Sequence, residues 1–305
     1  MTGPAGAWRW TKPCWRRTAT SIGSASCRAG RTARPAIAEG QAMPDPRIAL
    51  ITGGAGAIGL ATARRLARDG IVPALVDRDA AALDAAVAAL HAETGLPVLG
   101  IHADLVDRDA PRAVMDRIEA ECGRLDCLVN NAGLSRARRI GEVDLADWDA
   151  VIAVNLTAPM LLAQESLRFW QRQRAGSIVN IASRVWLSGA GPAYTASKAG
   201  LVGLTRSLAV QLGPLGVTVN AVAPSYLRTG FNFAGGEEAQ RRAEDEHIRI
   251  GVLDRIGTPE DVAGAIAFLC SPDARFVTGE VIHVCGGAQL AARPQDPAIA
   301  DGSAR

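Results

Sequence analysis

Residues 47–59 read RIALITGGAGAIG, and the fold is decided by how that stretch is parsed. Ile48 to Thr52 is an unbroken apolar run, as a strand buried on both faces requires. Glycines crowd the turn that follows, and a helical stretch then runs to Asp69-Gly70, with glycine in the usual stop position. A strand, a glycine-rich turn and a helix in this order bring backbone N–H groups and a positive helix end up to a pyrophosphate. The segment 54–59 also satisfies G-x-G-x-x-G, a weak motif alone that gains meaning from its strand–turn–helix setting.

Working outward, Asp77 ends a second expected strand (71–77) eighteen residues past Gly59. A carboxylate there can accept both hydroxyls of an adenosine ribose and would repel a 2′-phosphate, so the expected cofactor is NAD rather than NADP. Arg78 pulls the other way, because a guanidinium can receive that phosphate; Asp77 as an ordinary turn residue is the bland alternative.

Further strands are expected at 96–103, 127–130, 177–182, 217–222 and 281–284, with helices at 80–90, 107–122, 147–173 and 193–213. Thr258-Pro259-Glu260-Asp261 starts another, with a capping threonine, proline in the first turn and acids at the positive end. The alternation implies an α/β protein: a single doubly wound, Rossmann-like parallel sheet of about seven strands with helices on both faces. Pro73 is acceptable only if it occupies the first paired position of its strand.

This domain spans 43–290. Residues 1–42 hold seven Lys/Arg, one acid and three of the six tryptophans without apolar periodicity. They read as a disordered leader or as a start placed upstream of Met43, with an Arg/Ser-rich targeting peptide as the functional alternative. A polar tail occupies 291–305.

A net charge of +2 over 305 residues implies no dense basic face for nucleic acid. No apolar run reaches the roughly 18 residues of a membrane span. The six cysteines form no C-x-x-C pair, and the four histidines are scattered, so no metal is expected. Reduced thiols in a cytoplasmic protein follow.

Tyr194 and Lys198 (YTASK) lie four residues apart on one helix face. A phenol titrates near pH 10, and a neighbouring ammonium that stabilises the phenolate suits it to proton exchange with an alcohol oxygen. A surface pair on an amphipathic helix is the alternative.

These motifs, in this order, resemble the short-chain dehydrogenase/reductase family from Arg47 to about Ala288. Thr52 to Gly59 resembles its glycine-rich turn, so Gly53, Ala57, Ile58 and Gly59 are expected at the cofactor. Asp104, with Leu105 beside it, matches the family's adenine contact, and Asn130-Asn131-Ala132-Gly133 its Asn-Asn-Ala-Gly segment beside the ribose. The resemblance implies Tyr194 as acid/base, Lys198 on the nicotinamide ribose and lowering the Tyr194 pKa, and Ser183 on the substrate oxygen. It further implies Asn155 holding a water behind Lys198, with Leu227 and Thr229 beside the carboxamide. A strand-end serine and a polar residue bending a long helix are the alternatives for Ser183 and Asn155.

Three departures stand out. Ala57 replaces the usual second glycine of the turn. Ser183 lies eleven residues before Tyr194, about two fewer than the family leaves, which makes Ser188 a second candidate. Pro224-Ser225, followed by Tyr226, replaces a Pro-Gly, and these side chains are expected to narrow the nicotinamide pocket. Residues 226–257 occupy the family's substrate lid, where Phe231, Phe233 and Ile250 can line an apolar pocket and Arg228 or His247 can meet an anion; Trp186 can also border the substrate.

The expected activity is interconversion of a secondary alcohol and a ketone with NAD(H), by a homo-oligomer (tetramer or dimer) associating through helices 147–173 and 193–213. An NADPH-dependent 3-oxoacyl thioester reductase is the second enzyme reading. A catalytically silent NAD-binding scaffold or sensor is the reading from another class.

Overall fold

The computed structural model describes residues 46–136, 138–229 and 236–290. The expected leader, Met43, Phe231, Phe233 and the tail lie outside the described residues.

Seven parallel strands form one sheet in the order β3-β2-β1-β4-β5-β6-β7. They are β1 (Ile48–Thr52), β2 (Val72–Asp77), β3 (Leu99–His102), β4 (Cys127–Asn130), β5 (Gly176–Ile181), β6 (Val217–Pro224) and β7 (Val281–Val284). The order reverses between β1 and β4, and there the carboxyl ends of the strands open a crevice, as in other doubly wound sheets. β1 is buried along its whole length because both of its faces are covered.

Helices α1 (Ala57–Arg68), α2 (Ala80–Thr94) and α9 (Pro259–Cys270) share the main core with β1, β2, β4 and β5; Leu66, Leu83, Leu90, Val262 and Ile266 belong to it. α3 (Ala110–Glu121) packs against α5 (Ala158–Gln173), and α4 (Leu145–Ile152) against α7 (Pro192–Leu212). The short α6 (Val185–Ser188) follows β5, and α8 (Glu237–Ile250) lies in the expected lid. The capping box at Thr258 is present, with the Thr258 and Asp261 side chains each accepting from the other's backbone N–H.

Two expectations are corrected. Pro73 is the second residue of β2, not the first. The Val72 N–H bonds Arg47 on the β1 side, so the position of Pro73 faces β3, whose pairing begins one residue later at Ala74. No ladder bond is lost there. The second concerns the expectation that no apolar stretch is long enough for a membrane span, which the helix expected at about 147–173 overturns. It runs unbroken from Leu145 to Gln173 and is long and apolar enough to span a membrane by length and composition. Leu162, Phe169 and Trp170 are nevertheless buried in the protein core.

That helix is also not α throughout. Ala153–Thr157 is a π-turn in which the Ala158 N–H reaches back to the Ala153 carbonyl. Pro159 has no N–H for the carbonyl of Asn155 four residues before it, so the local geometry widens at this point.

Candidate active site

The crevice at the switch point is a cavity of about 880 Å³, floored by the ends of β1, β2, β4 and β5. At one side the turn after β1 passes beneath it. Gly53 takes φ +62°, and a side chain there would meet the backbone of Ala132 at 3.0 Å. Gly59 is more constrained, since a Cβ would lie 2.2 Å from the Gly53 carbonyl oxygen. The first turn of α1 therefore packs directly on the loop. Its N-cap, Gly56, supplies no side chain to the helix end. Ala57 and Ile58 line the cavity from that end, leaving the first-turn N–H groups to meet an anion.

Asn131 and Thr52 hold this turn in place. The Asn131 amide donates to the carbonyls of Thr52 (2.9 Å) and Gly53 (3.0 Å). The Thr52 hydroxyl accepts from the backbone N–H groups of Asn131 and Ala132, both at 3.0 Å. The Asn131 side chain thus shapes the turn from behind, and Gly133 beside it lines the cavity. Thr52 carried no functional expectation, and its hydroxyl role has no signature in the sequence.

Asp77 stands at the cavity wall. Its carboxylate accepts from the N–H of Ala55 (3.1 Å) and of Asp79 (3.2 Å), bonds that tie the end of β2 to the glycine turn. Arg78, Asp104 and the buried Leu105 line the same end, and Leu227 and Thr229 line the cavity at its other end.

The reacting groups come together there. Ser183 and Tyr194 both line the cavity, whereas Ser188 lies outside its lining and bonds the Arg184 guanidinium at 3.0 Å. Of the two serines, Ser183 is the one that shares the cavity with Tyr194 despite the short spacing. Burial pushes the Tyr194 phenol above its ordinary value, and the Ser183 side chain opposes this. The Lys198 ammonium is 3% exposed, donates to the Ile181 carbonyl at 2.7 Å and is pushed down to about 8 by desolvation. Desolvation of the ring sets the direction for the phenol in this state.

Asn155 does not offer its side chain to a water. Its Oδ1 accepts from the Leu134 N–H (2.8 Å), and its Nδ2 donates to the Leu134 carbonyl (2.9 Å) and the Ser197 hydroxyl (3.0 Å). Ser197 in turn donates to the Tyr194 carbonyl at 2.8 Å. This buried chain ties the π-turn to the start of α7, and Ser197 is a residue that spacing alone had not singled out.

Three other expectations change. Trp186 is not part of the cavity wall: its indole donates to His283 (3.2 Å), stacks on that ring and packs against β6. Arg228 is taken up by an ion pair with Glu244 on α8. Ile250 is 41% exposed and absent from the cavity lining. Tyr226 and His247 do line the cavity, their rings 4.7 Å apart. Among the described residues no cluster of His, Cys, Asp or Glu can hold a metal ion.

Residues 53–289 match the family model described as enoyl-(acyl carrier protein) reductase. A hydroxy(phenyl)methyl-succinyl-CoA dehydrogenase subunit of Thauera aromatica is 40% identical over 80% of this chain and 97% of its own length. A 3-oxoacyl-(acyl-carrier-protein) reductase of Aquifex aeolicus (strain VF5) is 38% identical over 79% of this chain and 96% of its own. Among solved structures, a blue fluorescent protein from a metagenomic library in complex with NADPH superposes with a TM-score of 0.71 at 35% identity, over 79% of this chain and 97% of that one. The glycine turn, the seven-stranded order and these matches agree: the chain belongs to the short-chain dehydrogenase/reductase family of oxidoreductases, which bind a nicotinamide cofactor.

Proposed function

We propose that this oxidoreductase interconverts a secondary alcohol and a ketone with NAD(H). The observation that carries the reading is the convergence of Ser183, Tyr194 and Lys198 on the cavity wall, with the buried Lys198 ammonium 5.7 Å from the centroid of the Tyr194 ring. The bound nicotinamide supplies or accepts the hydride. Tyr194 takes the hydroxyl proton during oxidation and returns it during reduction, while Ser183 hydrogen-bonds the substrate oxygen and orients it. A cationic Lys198 favours the phenolate. A water relaying protons to Lys198 would meet the backbone carbonyl of Asn155, which Pro159 leaves without its usual donor, because the Asn155 amide is already spent.

The choice of NAD rests on Asp77. Its carboxylate is anchored at the cavity by two backbone N–H groups, placed to accept ribose hydroxyls and to repel a 2′-phosphate. The first turn of α1 would take the pyrophosphate, with Asp104 and Leu105 beside the adenine and Leu227 and Thr229 beside the carboxamide. Arg78 on the same wall favours the second reading, reduction of a 3-oxoacyl thioester with NADPH, which is what the Aquifex relative's name describes. Homo-oligomerisation belongs to the same proposal.

Fluorescence titration with NADH and NADPH, on the wild type and on D77A, tests the cofactor choice. Tighter NADH binding that D77A removes supports NAD; tighter NADPH binding overturns it and promotes the thioester reading. Cofactor binding without turnover on a panel of secondary alcohols, ketones and 3-oxoacyl thioesters would leave the silent-scaffold reading.

A further inference from the structure

We propose that Arg184 forms an anion subsite at the substrate end of the cavity, so that the alcohol or ketone taken by this protein carries a carboxylate. The inference rests on the reading of Ser183 and Tyr194 as the reacting pair. Arg184 directly follows Ser183, is half-buried and lines the cavity with Tyr194, Ser225, Tyr226 and His247. Its guanidinium is held by hydroxyls alone: Nε donates to Ser225 (3.2 Å) and Nη1 to Ser188 (3.0 Å). Its backbone N–H bonds the Pro224 carbonyl at 2.9 Å, so both ends of the residue are fastened to the end of β6 and the residue that follows it.

Of the two arginines that line the cavity, Arg78 lies beside Asp77 at the far end and Arg184 beside Ser183. Arg136 and Arg138 share Asp147, Arg228 pairs with Glu244, and Arg255 with Asp261. Among the described residues no carboxylate pairs with Arg184, and its Nη2 has no protein partner. A neutral hydroxyl cradle fixes the geometry of a guanidinium without neutralising it, which suits the planar fork to a ligand carboxylate. Ser225 stands at the glycine position of the family's Pro-Gly, so a hydroxyl that departs from the family pattern is one of the two that hold the cation. The side chain at 225 thus lines the cavity and also fixes the guanidinium.

The test is calorimetric titration of cyclohexanecarboxylate and its methyl ester into the wild type and R184Q, each saturated with whichever of NADH or NADPH the wild type binds more tightly. The wild type is expected to bind the acid at least about tenfold more tightly than the ester, with R184Q reducing that preference below about threefold and R184K keeping part of it. R184Q should bind the reduced cofactor as the wild type does. Equal preference in R184Q, or no acid preference in the wild type, overturns the subsite. So does a tenfold loss of cofactor affinity in R184Q, which would make Arg184 a cofactor ligand. Arg184-dependent acid binding without turnover of any alcohol or ketone would keep the subsite and remove the oxidoreductase reading of this site.

Discussion

Lys198 lies with its ammonium 5.7 Å from the centre of the Tyr194 ring while donating to the Ile181 carbonyl at 2.7 Å, so one buried cation is shared between the end of β5 and the reactive phenol. Holding that charge out of water costs stability, and the cost has a pH signature. The folded pKa of Lys198 is depressed from 10.5 to about 8. Between those values the unfolded chain binds more protons, so this residue's contribution to unfolding free energy rises with pH across that window. Below about 8 both states are charged and the full penalty stands. K198M is therefore expected to be more stable than the wild type at pH 7 by about 1–3 kcal/mol, after allowing for the bond lost at Ile181. The gap should narrow toward pH 10, while activity is lost. Urea denaturation of both proteins at the two pH values checks this; a gap that does not change with pH would contradict it.

Y194F keeps the ring and its packing but loses the phenol hydroxyl, the proposed acid/base beside Ser183 at the cavity. Turnover is expected to fall by about 10²–10⁴-fold, with cofactor affinity and melting temperature close to the wild type. S183A should fall less, because the phenol remains. Steady-state kinetics on any substrate that the panel identifies decide the order.

Asn155 is fully buried and makes three hydrogen bonds, so N155A strands the Leu134 backbone groups and removes the donor to the Ser197 hydroxyl. A loss of about 2–4 kcal/mol is expected. Because Ser197 holds the Tyr194 carbonyl, kcat should fall while cofactor affinity, set at the other end of the cavity, stays put. A drop in stability with unchanged kcat would make Asn155 purely structural.

G59A places a methyl group 2.2 Å from the Gly53 carbonyl oxygen, a clash between two stretches of backbone. The first turn of α1 must move away from the loop. Cofactor affinity is expected to drop at least about tenfold, with the Ser183–Tyr194 pair intact. NADH fluorescence titration reads the result.

Light scattering is expected to show a dimer or tetramer. Val210 on α7 is 79% exposed, an apolar side chain on one of the two helices expected to pair. V210E should shift the protein toward monomer at micromolar concentration; an unchanged mass places the interface elsewhere.

The sequence by itself determined the strand–turn–helix at 48–68, the parallel alternation and the pairing of Tyr194 with Lys198. These depend on short-range rules: apolar runs, glycine at a crowded turn and i, i+4 spacing on one helix. Asp77 was legible for the same reason, since a strand end lies at a fixed distance from the turn. The tertiary structure alone decided what each polar side chain is spent on. Asn155 is consumed by Leu134 and Ser197, Arg228 by Glu244 and Trp186 by His283, through contacts between segments far apart in the chain. The partners of the Arg184 guanidinium are hydroxyls, that of Ser225 from the segment after β6 and that of Ser188 four residues on. Hydrogen bonds have no period along a chain, so which donors remain for a ligand is settled only when distant strands and loops meet.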